Sequence, residues 1–187
     1  MILFITGLII FLATHFFTAF ARNAREGLVA ATGRGGYMAL YSVVSLVGFV
    51  LIAKGWPSVS AAPLYTLPAA LRPVTYGLVF ISFILFAAAY LPVGKIAETT
   101  RHPMLAGVKI WAFAHLLSNG EIRSVILFGT FLAFAVIDRI AVKRRGAPTR
   151  TGGRLANDIL ALCVGAALYV AVFAYLHPLI AGVALVP

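Results

Sequence analysis

The chain has 187 residues, of which 62% are hydrophobic and only 11% charged, and its mean hydropathy is +1.02. These values exclude an ordinary soluble domain, whose water-facing surface needs about a quarter of its residues charged. Fifteen Lys and Arg against five Asp and Glu give a formal charge of +10. The basic residues stand between apolar runs, so they read as topology signals and contacts for membrane lipids with anionic head groups, with no nucleic-acid partner.

In chain order, apolar stretches fall near residues 1–21, 37–53, 73–91, 104–118, 124–142 and 157–176, each close to the roughly 20 residues a bilayer demands. Lipid offers backbone groups no water, and the alternating polarity of barrel strands is absent, so the spans are predicted to be helices. The expected fold class is all-α: a polytopic integral membrane protein with six transmembrane helices in a bundle, the whole of 1–187 forming one transmembrane domain. The fourth stretch is the shortest. The connection 54–72 carries Pro57, Pro63 and Pro68, which forbid a long helix and predict an ordered cap. The Gly- and Arg-rich connection 143–154 is expected to be a mobile loop. After a predicted break at His177-Pro178, the apolar tail 179–186 is too short to cross again and is expected at the interface. Cys163 has no partner for a disulfide and reads as a small packing residue.

Positive residues are retained on the cytoplasmic side. Connections one, three and five hold ten of them: Arg22, Arg25, Arg34, Lys95, Arg101, Lys143, Arg144, Arg145, Arg150 and Arg154. Connections two and four hold three: Lys54, Arg72 and Arg123. The asymmetry predicts a multi-pass protein of the bacterial inner membrane with both termini periplasmic. The first span has no basic residues before it and a basic cluster after it, which predicts a retained helix rather than a cleaved signal peptide.

Ionisable residues inside the spans mark function or pairing, because each costs a few kcal/mol in hydrocarbon. They are His15, His102, Lys109, His115, Asp138, Arg139 and Asp158. Two histidines on different helices of a bundle can form a bis-histidine b-type haem site; helix–helix hydrogen bonding is the competing reading of each. His102 and Lys109, seven residues apart, share a helix face, whereas His115 points away with Trp111. Arg101-His102-Pro103 also reads as an ordinary helix start, and Asp138-Arg139 as a local ion pair or interface anchor. Lys109 is expected to face a carboxylate, with Asp138 the best protein partner, or a haem propionate or water-filled cavity.

The run Arg101-His102-Pro103-Met104-Leu105-Ala106-Gly107, continued by Trp111-Ala112-Phe113-Ala114-His115-Leu116 and Asn119-Gly120, resembles the NnrU family of membrane proteins. His15 followed by Phe20-Ala21-Arg22 is similar to that family's first helix, and the likeness extends through Asp138-Arg139 to His177-Pro178-Leu179. The resemblance implies an accessory factor for nitrite and nitric oxide reduction in denitrification, with denitrification or other respiratory membrane complexes as partners. NnrU proteins in turn resemble zeta-carotene isomerase, a haem b membrane enzyme whose haem-binding histidines match His15 and His115 here. A cysteine implicated there as an alternative ligand falls at Ala112, a departure that weighs against a ligand switch of the isomerase type. The resemblance thus implies haem b, with His15 and His115 as iron ligands and His102 and Lys109 as further cofactor-binding candidates; no catalytic residue is assigned.

Depth along the helices complicates that pair. His15 lies about 10 Å along the axis from Arg22, and His115 about 20 Å from His102, so His15 with His102 fits one depth better. Three alternatives remain open: a haem-dependent polyene isomerase; a membrane methyltransferase, in which an Arg-His-Pro-x-x-x-Gly run also occurs but for which the matching acidic and aromatic residues are missing here; and a cofactor-free assembly subunit. No nucleotide-binding Gly pattern, Cys pair or Ser-His-Asp constellation is present.

Overall fold

A computed structural model describes residues 1–183 and 185. The elements are helices α1 (Ile2–Phe20), α2 (Arg22–Gly55), α3 (Arg72–Tyr90), α4 (Lys95–Thr100), α5 (Pro103–Leu116), α6 (Ile122–Arg144), α7 (Leu155–Ala171) and α8 (His177–Ala181), with a π-helical turn at Val172–Leu176 and two short 3-10 turns. Among the described residues there is no strand, only an isolated bridge between Pro63 and Glu121. The all-α membrane fold is as expected. Five helical stretches, at Ile2–Phe20, Arg22–Ser58, Ala69–Tyr90, Ile122–Arg144 and Leu155–Ala181, are long and apolar enough to cross a bilayer. The predicted fourth span is the 14-residue α5, about 21 Å long against a hydrocarbon core of about 30 Å. Pro103 starts it and the Asn119-Gly120 turn follows its end, so the sequence allows it no further length.

The chain divides into two compact units, Met1–Ala61 and Ala62–Pro187. The first is an antiparallel hairpin of α1 and α2. Small residues bring the two backbones close: a Cβ added at Gly7 would lie 2.6 Å from the Ile52 nitrogen, one at Gly48 would lie 2.9 Å from that of Phe11, and one at Gly55 would collide with Phe4. Such approach is how helices associate where the surrounding lipid is as apolar as they are. Residues 22–32, expected as part of a connection, are helical. No proline interrupts them, and Ala, Arg and Glu favour helix; the break comes at Gly33, where φ is 73° and ψ 164°, a conformation that glycine adopts without steric cost.

In the second unit α3 is central, packed by α5 and α7, with α6 against α5. Gly107 of α5 sits over Ser82 and Phe86 of α3, and Gly165 of α7 over Ile84. Ser82 is fully buried and its hydroxyl donates to the Leu78 carbonyl at 2.9 Å. Residues 62–65 are pinned to the end of α5, by Leu64 N–H to Gly120 O at 2.8 Å, Ile122 N–H to Ala62 O at 3.0 Å and the Tyr65 hydroxyl to Leu116 O at 2.6 Å, which agrees with an ordered cap.

Three expectations need correction. The connection 143–154 is not a free loop at its C-terminal end. Arg150 donates to the carbonyls of Ala88, Ala89 and Leu91, Arg154 N–H to Val93 O, and Gly152 N–H to Glu98, because the last carbonyls of α3 have no partners within their own helix. The helix does not break at His177-Pro178 but runs on to Ala181, ending at Gly182 with φ 69°. The wider π turn precedes Pro178, where a regular turn would press the proline ring on the carbonyl four residues earlier. The tail 179–186 therefore begins within α8, while Ala184 and Val186 lie outside the described residues. Finally, Cys163 is exposed on α7 rather than packed within the chain.

Candidate functional site

His15 lies in the penultimate turn of α1, half-buried, with its ring stacked on Phe11 at 4.2 Å and edge-on to Tyr41 of α2 at 5.4 Å. Its Nδ1 stands 2.7 Å from the Phe11 carbonyl. A carbonyl only accepts, so Nδ1 carries the proton and the lone pair belongs to Nε2.

His115 repeats the arrangement in the last turn of α5. Its Nδ1 donates to the Trp111 carbonyl at 2.8 Å, and the ring is held between Phe128 of α6, stacked at 4.4 Å, and Trp111 at 4.9 Å. Trp111 in turn meets Phe128 and Phe131 at 5.1 and 5.7 Å. Ala112, one turn before His115, is fully buried.

His102 and His115 stand at opposite ends of α5, thirteen residues or about 20 Å apart, so they cannot serve one iron together. His102 immediately precedes the helix, which starts at Pro103. Burial holds its imidazole below the ordinary histidine range, the Arg139 and Arg145 guanidiniums push the same way, and the Asp138 carboxylate opposes them. The backbone before it is unusual: Arg101 has φ 63° and ψ −42°, and His102 N–H bonds the Thr100 carbonyl at 2.7 Å. This is a γ-turn of the strained, positive-φ kind, worth of order 1–3 kcal/mol of local strain. The Arg-His-Pro run does start a helix, but through a strained turn that spacing alone did not reveal.

Lys109 is half-buried and makes no hydrogen bond or ion pair among the described residues, so the expected pairing with Asp138 does not form. Arg139 likewise makes none, so it is not the local partner of Asp138. Asp158 is buried for a different reason: its two carboxylate oxygens accept Lys95 N–H and Ile96 N–H, each at 2.9 Å, and so cap the N-terminus of α4 from α7.

The sequence reading left His177 out of the ionisable residues inside the spans. It follows the π turn and donates from Nδ1 to the Val183 carbonyl at 2.7 Å. The π turn is the signal that would have drawn attention to it, but no sequence pattern announces one.

A family model described as NnrU protein matches residues 3–185. The chain belongs to the NnrU family. At family level it is a denitrification-associated membrane protein. No curated protein and no solved structure matches it significantly. Among the described residues no group of three or more His, Cys, Asp or Glu side chains could hold a metal ion; what this NnrU chain offers a metal is single imidazoles with preset tautomers.

Proposed function

We propose that this NnrU protein binds haem b through His15 and His115 in the bacterial inner membrane and supports nitrite and nitric oxide reduction as an accessory factor to denitrification complexes. The observation that carries the reading is the matched state of the two imidazoles. Each donates from Nδ1 to the carbonyl four residues earlier, so each would present Nε2 as a ligand, and that second hydrogen bond orients the ring and raises its basicity. Aromatic neighbours hold both rings in place. Imidazoles so prepared would be suited to ligate the iron of a haem, whose macrocycle would supply the remaining donors. Bound haem would supply a redox-active iron. Lys109, with no protein acceptor among the described residues, fits a propionate partner. The fully buried Ala112 provides no alternative ligand, so isomerisation by ligand switching is not part of the proposal.

The test is an absorption spectrum of the purified protein and its histidine variants. A Soret band with a reduced α band, low-spin and six-coordinate, is expected, since two imidazoles leave iron no open position. His15→Ala and His115→Ala should each abolish or convert that spectrum, and His102→Ala and His177→Ala should leave it intact. Loss in His102→Ala with retention in His115→Ala would replace the pair by His15 with His102. Loss in His177→Ala with retention in His15→Ala would replace it by His115 with His177. Absence of a Soret band in protein expressed with ample haem would refute the haem reading.

A further inference from the structure

The second unit gathers cationic side chains at one locus. The turn between α4 and α5 presents Arg101 and His102; α6, joined to α5 by the short connection 117–121 and packed along it, returns Arg139 to roughly the level of His102 and carries Arg145 at its C-cap beyond it, and the charges of both act on His102. Asp138 is the carboxylate in the same field. Arg101 is exposed and Arg139 half-buried, and neither side chain makes a hydrogen bond or ion pair among the described residues. A guanidinium partly withdrawn from water without a partner is unfavourable, and like charges gathered around one imidazole repel. Both costs vanish if an anion sits among them.

We propose that Arg101, Arg139 and Arg145, with His102, form a binding site for a phosphate group. The guanidinium fork matches two phosphate oxygens at once, and arginines arriving from two directions can share one phosphate. The γ-turn at Arg101 gives its side chain a fixed point of departure. α6 is among the helices long and apolar enough to cross a bilayer, and the cluster stands at its basic end. That is the depth of lipid phosphodiesters, so the phosphate is that of an anionic phospholipid head group. The site does not depend on the haem reading, because its arginines are not iron ligands and His102 is outside the proposed pair His15 and His115.

The full-length protein in neutral detergent would be titrated with phosphatidylglycerol, phosphatidylcholine or inorganic phosphate at constant ionic strength. The readouts are the thermal midpoint and, by native mass spectrometry, lipid retained on the protein. Phosphatidylglycerol should raise the midpoint saturably and remain bound, and phosphatidylcholine should not. Arg139→Gln should weaken half-saturation roughly tenfold, as loss of a charge-assisted pair does. Arg101→Gln, at an exposed position, serves if Arg139→Gln does not fold. Arg34→Gln, one charge removed from the first unit, should bind like the parent. Inorganic phosphate reproducing the saturable shift, with the same two variants defective, would keep the site but overturn the lipid as its source. Equal responses to the two lipids, or parental binding by both arginine variants, would overturn the site.

Discussion

Single side chains here do work that depends on partners roughly sixty residues away. Asp158 is the clearest case. In the sequence it is a carboxylate near the start of an apolar run; in the fold it accepts the first two amide protons of α4, at Lys95 and Ile96. Asp158→Ala leaves those two donors without an acceptor, which costs about 1–3 kcal/mol where they are shielded from water. Its thermal midpoint in detergent should fall clearly, and Asp158→Asn, which keeps one acceptor oxygen, should fall less. Equal midpoints for parent, Asn and Ala would show that the cap contributes nothing. The histidines differ from Asp158 in what the sequence discloses. A His in a helix with a carbonyl four residues earlier is a local pattern, so the anchoring of His15 and His115 was within reach of sequence reasoning, whereas the crowding of His102 by Arg139 and Arg145 required α5 and α6 to be packed together.

At the scale of elements, hydrophobic length located the helices but not their ends. Residues 22–32 form a helical stretch of their own ahead of the predicted second span, set off from it by the break at Gly33, because polar residues such as those of 22–32 form helix as readily as apolar ones and hydropathy does not register them. The final helix outran its prediction because the π turn makes room for Pro178. Helix pairing within the hairpin depends on glycines that hydropathy also ignores. Gly48→Ala would set a methyl group 2.9 Å from the Phe11 nitrogen, and such overpacking costs typically about 1–3 kcal/mol. Gly27→Ala meets nothing within 4 Å and removes helix-interior flexibility, a gain of roughly 0.5–1 kcal/mol. Unfolding of the two variants in detergent should therefore move in opposite directions from the parent. A Gly48→Ala midpoint at or above the parent's would mean that the close approach is not needed.

For the whole molecule, the ten-to-three division of positive residues between alternate connections makes a directional prediction. Reporter fusions within 143–154 should behave as cytoplasmic and fusions after residue 187 as periplasmic. The 14-residue α5 makes the experiment sharper, because a segment that fails to cross would put the two fusions on sides that disagree with fusions placed before it. Cytoplasmic activity from the C-terminal fusion would reject the orientation.

What the sequence determined by itself was one-dimensional: the apolar runs that make this a helical membrane protein, the uneven placement of Lys and Arg, and the likeness to the NnrU family, whose model matches residues 3–185. These are legible because they depend on composition and on neighbours within a helical turn or two. The tertiary structure alone decided that Arg150 ties the supposedly mobile connection to the end of α3, that Asp158 caps α4, that Lys109 has no carboxylate partner among the described residues, and that Arg139 and Arg145 stand beside His102. Each of these depends on which helices pack and in what register, and no local pattern encodes the contact. Carbonyls left over at a helix end and charges withdrawn from lipid must find partners, but which partner is reachable is settled only when the helices meet.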